Sequence, residues 1–279
     1  MGVEARLVAG MDGSADSADA AAWAADEAVL RRAQNLCLIR VIRGPAEEAE
    51  ASAALAELAG RLRSRHPVLD ISVRIPHGNP AEELVSASGD AQLTVVGPRR
   101  RSSLSAVLLG SVSTKVATHA HGPVVVVRGR PTAGPVVVGL DNSPQSRLAL
   151  GFALDAAHRY GTGLVAVRVW PDVGYAPSVP TLNFEAIALR EEAQRELSDG
   201  LHGRTEQYPD VAVRRSTPRG HPVAELVDVA RDARLLVVGH RGRGGFAGLM
   251  LGSVAAGVLH HASCPVAVLR GGVAEEEEG

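Results

Sequence analysis

Four small residues and one acid form the pattern in this 279-residue chain that could do chemistry. Gly239-His240-Arg241-Gly242 is followed, nine residues on, by Gly252-Ser253, while Asp141 and Ser143 stand far upstream. Glycine lets the backbone take positive φ and approach a ligand closely. A helix opening at Ser253 would present unpaired N–H groups and the positive end of its dipole, a natural seat for phosphate. Ser253 adds a hydroxyl donor, and Asp141 could accept from a ribose hydroxyl. This chemistry is nucleotide binding, with the phosphates on the Gly239–Ser253 loop. The plainer alternative is that the glycines only shape a tight loop, and that Asp141 and Ser143 only cap a helix.

The elements that must position these residues occur twice. LGSVSTKVATHAHGPVVVVRG from Leu109 aligns without gaps to LGSVAAGVLHHASCPVAVLRG from Leu251, with 12 of 21 positions identical at an offset of 142. The same offset carries Gly78-Asn79-Pro80 onto Gly220-His221-Pro222, and Val95-Val96-Gly97 onto Val237-Val238-Gly239. Nearer the start the offset is 129, mapping Gly10, Asp12 and Ser14 onto Gly139, Asp141 and Ser143. Most of the difference falls in Pro171 to Phe184, a Pro-rich loop that the first copy lacks. Repeats of this length mean a duplicated unit. The expected domains are residues 1–129 and 134–271, joined by the linker Pro131-Thr132-Ala133-Gly134-Pro135 and followed by an acidic tail over 272–279.

Each copy alternates short apolar strands with amphipathic helices. In copy one the helices are expected at Asp16 to Gln34, about Ala46 to Ser64, from Pro80, and about Ser111 to Thr118. Pro80 and Pro222 suit the first helical position. This alternation predicts an α/β fold: two tandem open parallel five-stranded sheets, strand order 3-2-1-4-5, with helices on both faces. Ligands of such sheets bind outside the carboxyl ends of the strands, where the order reverses. That point lies between strands 1 and 4, where Asp141 and the glycine loop both fall.

Rival nucleotide motifs fail. A Walker A loop needs Gly-Lys, and the sole lysine, Lys115, follows Thr114. Gly242 to Ala247 formally fits G-x-G-x-x-A, but it follows a late strand and lacks an acid about 20 residues on. The Ser-Gly-Gly-x-Asp-Ser loop of ATP pyrophosphatases is missing too. Gly239-x2-Gly242-x9-Gly252-Ser253, preceded by Val-Val and followed by HASCPVAVLR, resembles the ATP-binding signature of the universal stress protein family. The resemblance covers nearly the whole chain, twice, as in tandem members from actinobacteria, and implies an adenine nucleotide alpha hydrolase-like fold. It further implies that Asp141 contacts ribose and that Val169 walls the adenine. Gly239, Gly242, Gly252, Ser253 and Val254 would hold the phosphates of ATP, with Mg²⁺ on the phosphate oxygens and no metal ligand from the chain. The matching positions of copy one are Asp12, Val41, Gly97, Gly110, Ser111 and Val112.

Copy one departs from the signature, reading Gly97-Pro98-Arg99-Arg100 before Gly110-Ser111. Arginine at a glycine position with positive φ would cost about 1 kcal/mol, and Pro98 removes an N–H donor. Either its loop takes another path, or Arg99 to Arg101 contact phosphate through their side chains. Elsewhere the sequence is less informative. His119 and His121, or His260, His261 and Cys264, lack a fourth metal ligand and sit where a helix dipole explains histidine. Trp23 reads as helix packing. Trp170 lies near the adenine wall and is a candidate for stacking.

Composition bounds the rest. With 29 basic against 31 acidic residues, and four of the acids in the tail at Glu275 to Glu278, the body is near neutral. Neither nucleic acid nor membrane is an expected partner by bulk charge, and 3% aromatics argue against base stacking. Cys37 and Cys264 are too few for a disulfide framework, and no signal peptide is visible, so a cytoplasmic protein is expected. Three functions stay open: a nucleotide-dependent stress-response regulator, a slow ATPase or autophosphorylating enzyme, and an interaction module without nucleotide. The resemblance also implies pairing through the edge strand 5, a homodimer of tandem chains, and a further protein partner that is not identified.

Overall fold

The computed structural model describes residues 6–98, 109–129, 132–171, 180–243 and 251–270, with side chains in the helix opening at Pro180 described from residue 186 onward. The chain divides into two compact units, Met1–Arg128 with Arg270–Gly279, and Gly129–Leu269. Arg99 to Arg101, Ser102, Ser103, Gly244, Gly245 and the acidic tail lie outside the described residues.

Unit 1 contains β1 (Arg6–Met11), α1 (Ala15–Leu30), β2 (Asn35–Arg40), α2 (Glu48–Arg65), β3 (Asp70–Arg74), α3 (Pro80–Ala87), β4 (Leu93–Val96), α4 (Ser111–His119) and β5 (Val124–Val126). Its strands run in the order β3-β2-β1-β4-β5, all parallel. Unit 2 repeats this with β6 (Val136–Gly139), α5 (Pro144–Tyr160), β7 (Leu164–Val167), α6 (Pro180–Leu201), β8 (Val213–Ser216), α7 (Pro222–Val229), β9 (Leu235–Gly239), α8 (Ser253–His261) and β10 (Val266–Leu269). Its order is β8-β7-β6-β9-β10, again parallel. Right-handed crossovers put helices on opposite faces once the winding direction reverses. α1 therefore packs with α2, and α3 with α4.

Central strands covered on both faces must be apolar throughout. Leu7, Val8, Ala9, Val136, Val137 and Val138 are accordingly fully buried. α1 and α5 lie close to the sheets because their inner faces are mostly alanine: Ala20, Ala21, Ala24, Ala25 and Ala28, then Ala149, Ala153, Ala156 and Ala157.

Three boundaries differ from the sequence expectation. α1 stops at Leu30 rather than Gln34, because Arg32 turns left-handed at φ 54°. The N–H groups of Arg32 and Ala33 then donate to the carbonyls of Val29 and Ala28, a Schellman closure. The same closure ends α5, with Gly161 at φ 60° in the place of Arg32. At the start of the second helix, Pro45–Glu47 form a turn of 3₁₀ helix ahead of α2. The Pro-rich insertion is also not all loop, since α6 begins at Pro180, where a fixed φ and a missing N–H are tolerated. Residues 172–179 lie outside the described residues.

The linker is tied to unit 2. Thr132 Oγ1 donates to the Asp232 carbonyl at 2.6 Å and accepts from the Gly134 N–H. Cys37 and Cys264 are both buried. Among the described residues no helix is long and apolar enough to cross a membrane, and no three His, Cys, Asp or Glu cluster as metal ligands.

Candidate functional site

Strand order reverses between β6 and β9, and the strand-to-helix turns at that point are built by short polar residues. After β6 the chain reads Asp141-Asn142-Ser143. Asn142 takes φ 63°, a conformation that Asn tolerates better than most residues. Ser143 caps α5 by accepting from the Ser146 N–H at 3.1 Å. Asp141 Oδ1 accepts from both the N–H and the hydroxyl of Ser143, at 3.0 and 2.6 Å. Its Oδ2 reaches across to the glycine loop and accepts from the Arg243 N–H at 2.9 Å. Burial pushes the Asp141 carboxyl up, but the donors of Ser143 and the Arg243 amide outweigh this and hold it below the ordinary aspartate value. The carboxylate is thus a fixed anion that joins the first turn of α5 to the loop after β9.

The glycines work differently from the expectation. Neither Gly239, Gly242 nor Gly252 adopts positive φ. What each position excludes is a Cβ. At Gly239 a Cβ would lie 2.9 Å from the Gln145 Cβ and 3.0 Å from its carbonyl carbon, so this glycine admits the first turn of α5. At Gly242 it would lie 2.3 Å from Asp141 Oδ2. At Gly252 it would sit 3.2 Å from the His240 carbonyl oxygen, which accepts from the Gly252 N–H at 2.7 Å. Positive φ falls instead on other glycines, among them Gly78 at 140° and Gly220 at 150°, in the turns before α3 and α7. Arg100, the copy-one counterpart of Gly242, lies outside the described residues.

All seven residues singled out in unit 2 line one cavity of about 590 Å³: Asp141, Val169, Gly239, Gly242, Gly252, Ser253 and Val254. Leu140, Val167, Leu226 and Val238 supply apolar wall. Gly252 is the N-cap of α8 and offers no side-chain cap, so the first N–H groups of the helix point to the cavity end without one.

Sequence reasoning missed the cations. Arg168 and Arg243 line the cavity, and both are held by Glu196 of α6. Arg243 Nη1 lies 2.6 Å from Glu196 Oε1, and Arg168 pairs with Oε2 of the same carboxylate. Burial raises the Glu196 carboxyl, and the two guanidiniums more than reverse this. Arg243 was visible beside Gly242, but no spacing in the sequence links it to a helix some fifty residues earlier.

Unit 1 repeats part of the arrangement. Asp12 Oδ1 accepts from the N–H and hydroxyl of Ser14, with Gly13 at φ 82° between them. Val41 follows β2, Gly97 follows β4, and Gly110, Ser111 and Val112 open α4. A Cβ on Gly97 would lie 3.0 Å from the Asp16 carbonyl oxygen, the same helix-against-strand packing as at Gly239. Trp170 does not stack in the unit 2 cavity. Its side chain is buried, and its indole N–H donates to the Thr217 carbonyl at 3.0 Å.

The universal stress protein family model matches residues 5–128 and again 133–270. The chain belongs to the universal stress protein family. Among relatives of this universal stress protein is one from Mycolicibacterium smegmatis, 39% identical over 95% of this chain and 96% of its own length. Another, from Mycobacterium tuberculosis, is 35% identical over 95% of this chain and 96% of its own. Both are themselves named universal stress proteins. The crystal structure of a universal stress protein from Archaeoglobus fulgidus superposes with a TM-score of 0.71 at 20% identity, covering 97% of each chain. That likeness shows the shared α/β fold, a parallel sheet wound with helices.

Proposed function

We propose that unit 2 binds ATP and that the protein acts in the cytoplasm as a nucleotide-dependent regulator of the stress response. One observation carries this reading: the seven residues chosen from the sequence line a single cavity. Its volume lies within the range of roughly 300–1,000 Å³ that suits small-molecule ligands. The apolar strand ends beside Val169 suit a flat base, and Asp141 retains acceptor capacity for a ribose hydroxyl. The amides around Gly242 and the open start of α8 suit phosphates. Mg²⁺ fits as a companion of the phosphates. Among the described residues no three His, Cys, Asp or Glu cluster, so the ion would be held through phosphate oxygens.

Hydrolysis has less support. Asp141 is a strongly bonded, depressed carboxylate and therefore a weak base. Slow turnover would appear as phosphate release that survives stringent purification and vanishes in Asp141→Ala. Copy one is proposed as a second, altered site at Asp12, Val41, Gly97, Gly110, Ser111 and Val112. A homodimer of tandem chains is proposed from the family resemblance, and a monomer by light scattering would remove it.

The test is to denature purified, undialysed protein and quantify the nucleotides released by chromatography and mass spectrometry. Close to one ATP per chain supports unit 2 alone, and close to two means that unit 1 also binds. An empty protein with no affinity for ATP and Mg²⁺ in titration would overturn the proposal and leave an interaction module.

A further inference from the structure

The cavity carries more positive charge than backbone binding needs. Arg168, Arg241 and Arg243 line it, and Asp141 is the acid among the lining residues. Arg168 follows β7 beside Val169, on the wall where apolar strand ends gather. Arg243 follows Gly242, whose N lies 3.7 Å from the Cβ position of Gly252 at the start of α8. The two arginines thus come from different elements, the exit of β7 and the loop after β9, and one carboxylate, Glu196, holds both. Glu196 itself is not part of the lining. It stands behind the arginines as a shared counter-ion, leaving one net positive charge in the triad. Arg168 is only 19% exposed and is tied further by its Nη1 to the Leu140 carbonyl at 3.5 Å, whereas Arg243 is 55% exposed.

We propose that Arg168 and Arg243 are specificity-determining residues that make this cavity prefer a polyphosphate to a monophosphate or a bare nucleoside, with Glu196 positioning them and setting the threshold. The inference rests on the nucleotide reading above. A ligand must compete with the Glu196 carboxylate for the guanidiniums. A single phosphate gains little over that partner, while a chain of phosphates brings several charges and can meet both arginines with bidentate bonds. Lysine would not serve equally, because its ammonium is a point charge and lacks the planar fork that meets a carboxylate or a phosphate with paired bonds.

Titration calorimetry on the full chain with ATP, AMP and adenosine tests this. In Glu196→Gln the amide oxygen still accepts from an arginine but the competing charge is gone. ATP should then bind about fivefold more tightly at low salt, AMP less so, and adenosine unchanged. Arg243→Gln, at an exposed side chain, should weaken ATP about tenfold and leave adenosine unchanged, with Arg168→Gln acting in the same direction. A Glu196→Gln variant that shifts all three ligands by one factor would show a purely structural anchor for α6 and overturn the inference. So would arginine variants that keep the wild-type ratio of ATP to adenosine affinity, while the nucleotide reading would stand. A wild-type chain that binds none of the three would overturn both.

Discussion

Asp141 Oδ2 occupies the space that a side chain on residue 242 would need: a Cβ there would lie 2.3 Å from the oxygen. The same oxygen accepts from the Arg243 amide. Glycine at 242 and aspartate at 141 are therefore one requirement, met from two ends of unit 2.

Gly242→Ala should break this pairing by pushing Asp141 away from the Arg243 N–H. Losing one charge-assisted bond in a half-buried site costs about 1.5–3 kcal/mol. ATP affinity measured by calorimetry should fall by roughly ten- to hundredfold. Far-UV circular dichroism should stay unchanged, because the substitution lies outside every strand and helix. Gly242→Arg, which imports the copy-one residue, should abolish binding to unit 2. Unchanged affinity in either variant would remove the phosphate role of this loop.

Gly239→Ala should act on stability instead. Its Cβ would press on the Cβ and carbonyl carbon of Gln145, and helix backbone cannot yield as a side-chain tip can. Overpacking of this kind costs about 1–3 kcal/mol. Urea denaturation should show a lower midpoint for unit 2, and a midpoint equal to wild type would contradict the packing role.

Arg32→Gly should stabilise unit 1. Arg32 sits at φ 54° in the closure of α1, whereas the equivalent closure of α5 uses Gly161. Removing the Cβ relieves about 1 kcal/mol of backbone strain. Gly161→Ala should lose a similar amount, and thermal unfolding of the two variants would show opposite shifts.

Acid should destabilise unit 2 through Asp141 and Glu196. Both carboxyls are lowered in the folded chain from ordinary values of 3.8 and 4.5. The folded state thus binds these protons more weakly than the unfolded state. Their stabilisation is complete above the ordinary values and is lost as pH falls through the lower folded ones. Asp141→Asn should flatten part of that acid slope in denaturation curves. It should leave no pH dependence of its own near neutrality, where wild-type Asp141 is already fully ionised.

Much of the architecture was legible in the chain. A repeat with apolar runs spaced by helices admits few topologies, and parallel order 3-2-1-4-5 follows from short connections and crossover handedness. The cavity residues of unit 2 were legible in two ways. Asp141, Gly239 and Gly242 follow strands at the switch point, and Gly252 and Ser253 open the next helix, whereas Val169 and Val254 were given by the family resemblance. The exact helix ends were not legible, because Arg32 adopts a left-handed φ that its residue type does not announce.

The sequence by itself determined which backbone segments meet at the switch point, since local periodicity and the duplicated pattern dictate strand order. Only the tertiary structure decided why the glycines are glycines. Their backbone is not left-handed, and what excludes a side chain is Gln145, Asp141 or the His240 carbonyl, each brought there by another part of the chain. The tertiary structure likewise decided that Glu196 joins Arg168 to Arg243. Charge pairs between elements depend on how a helix lies over a sheet, and that packing is set by the whole core rather than by any local spacing.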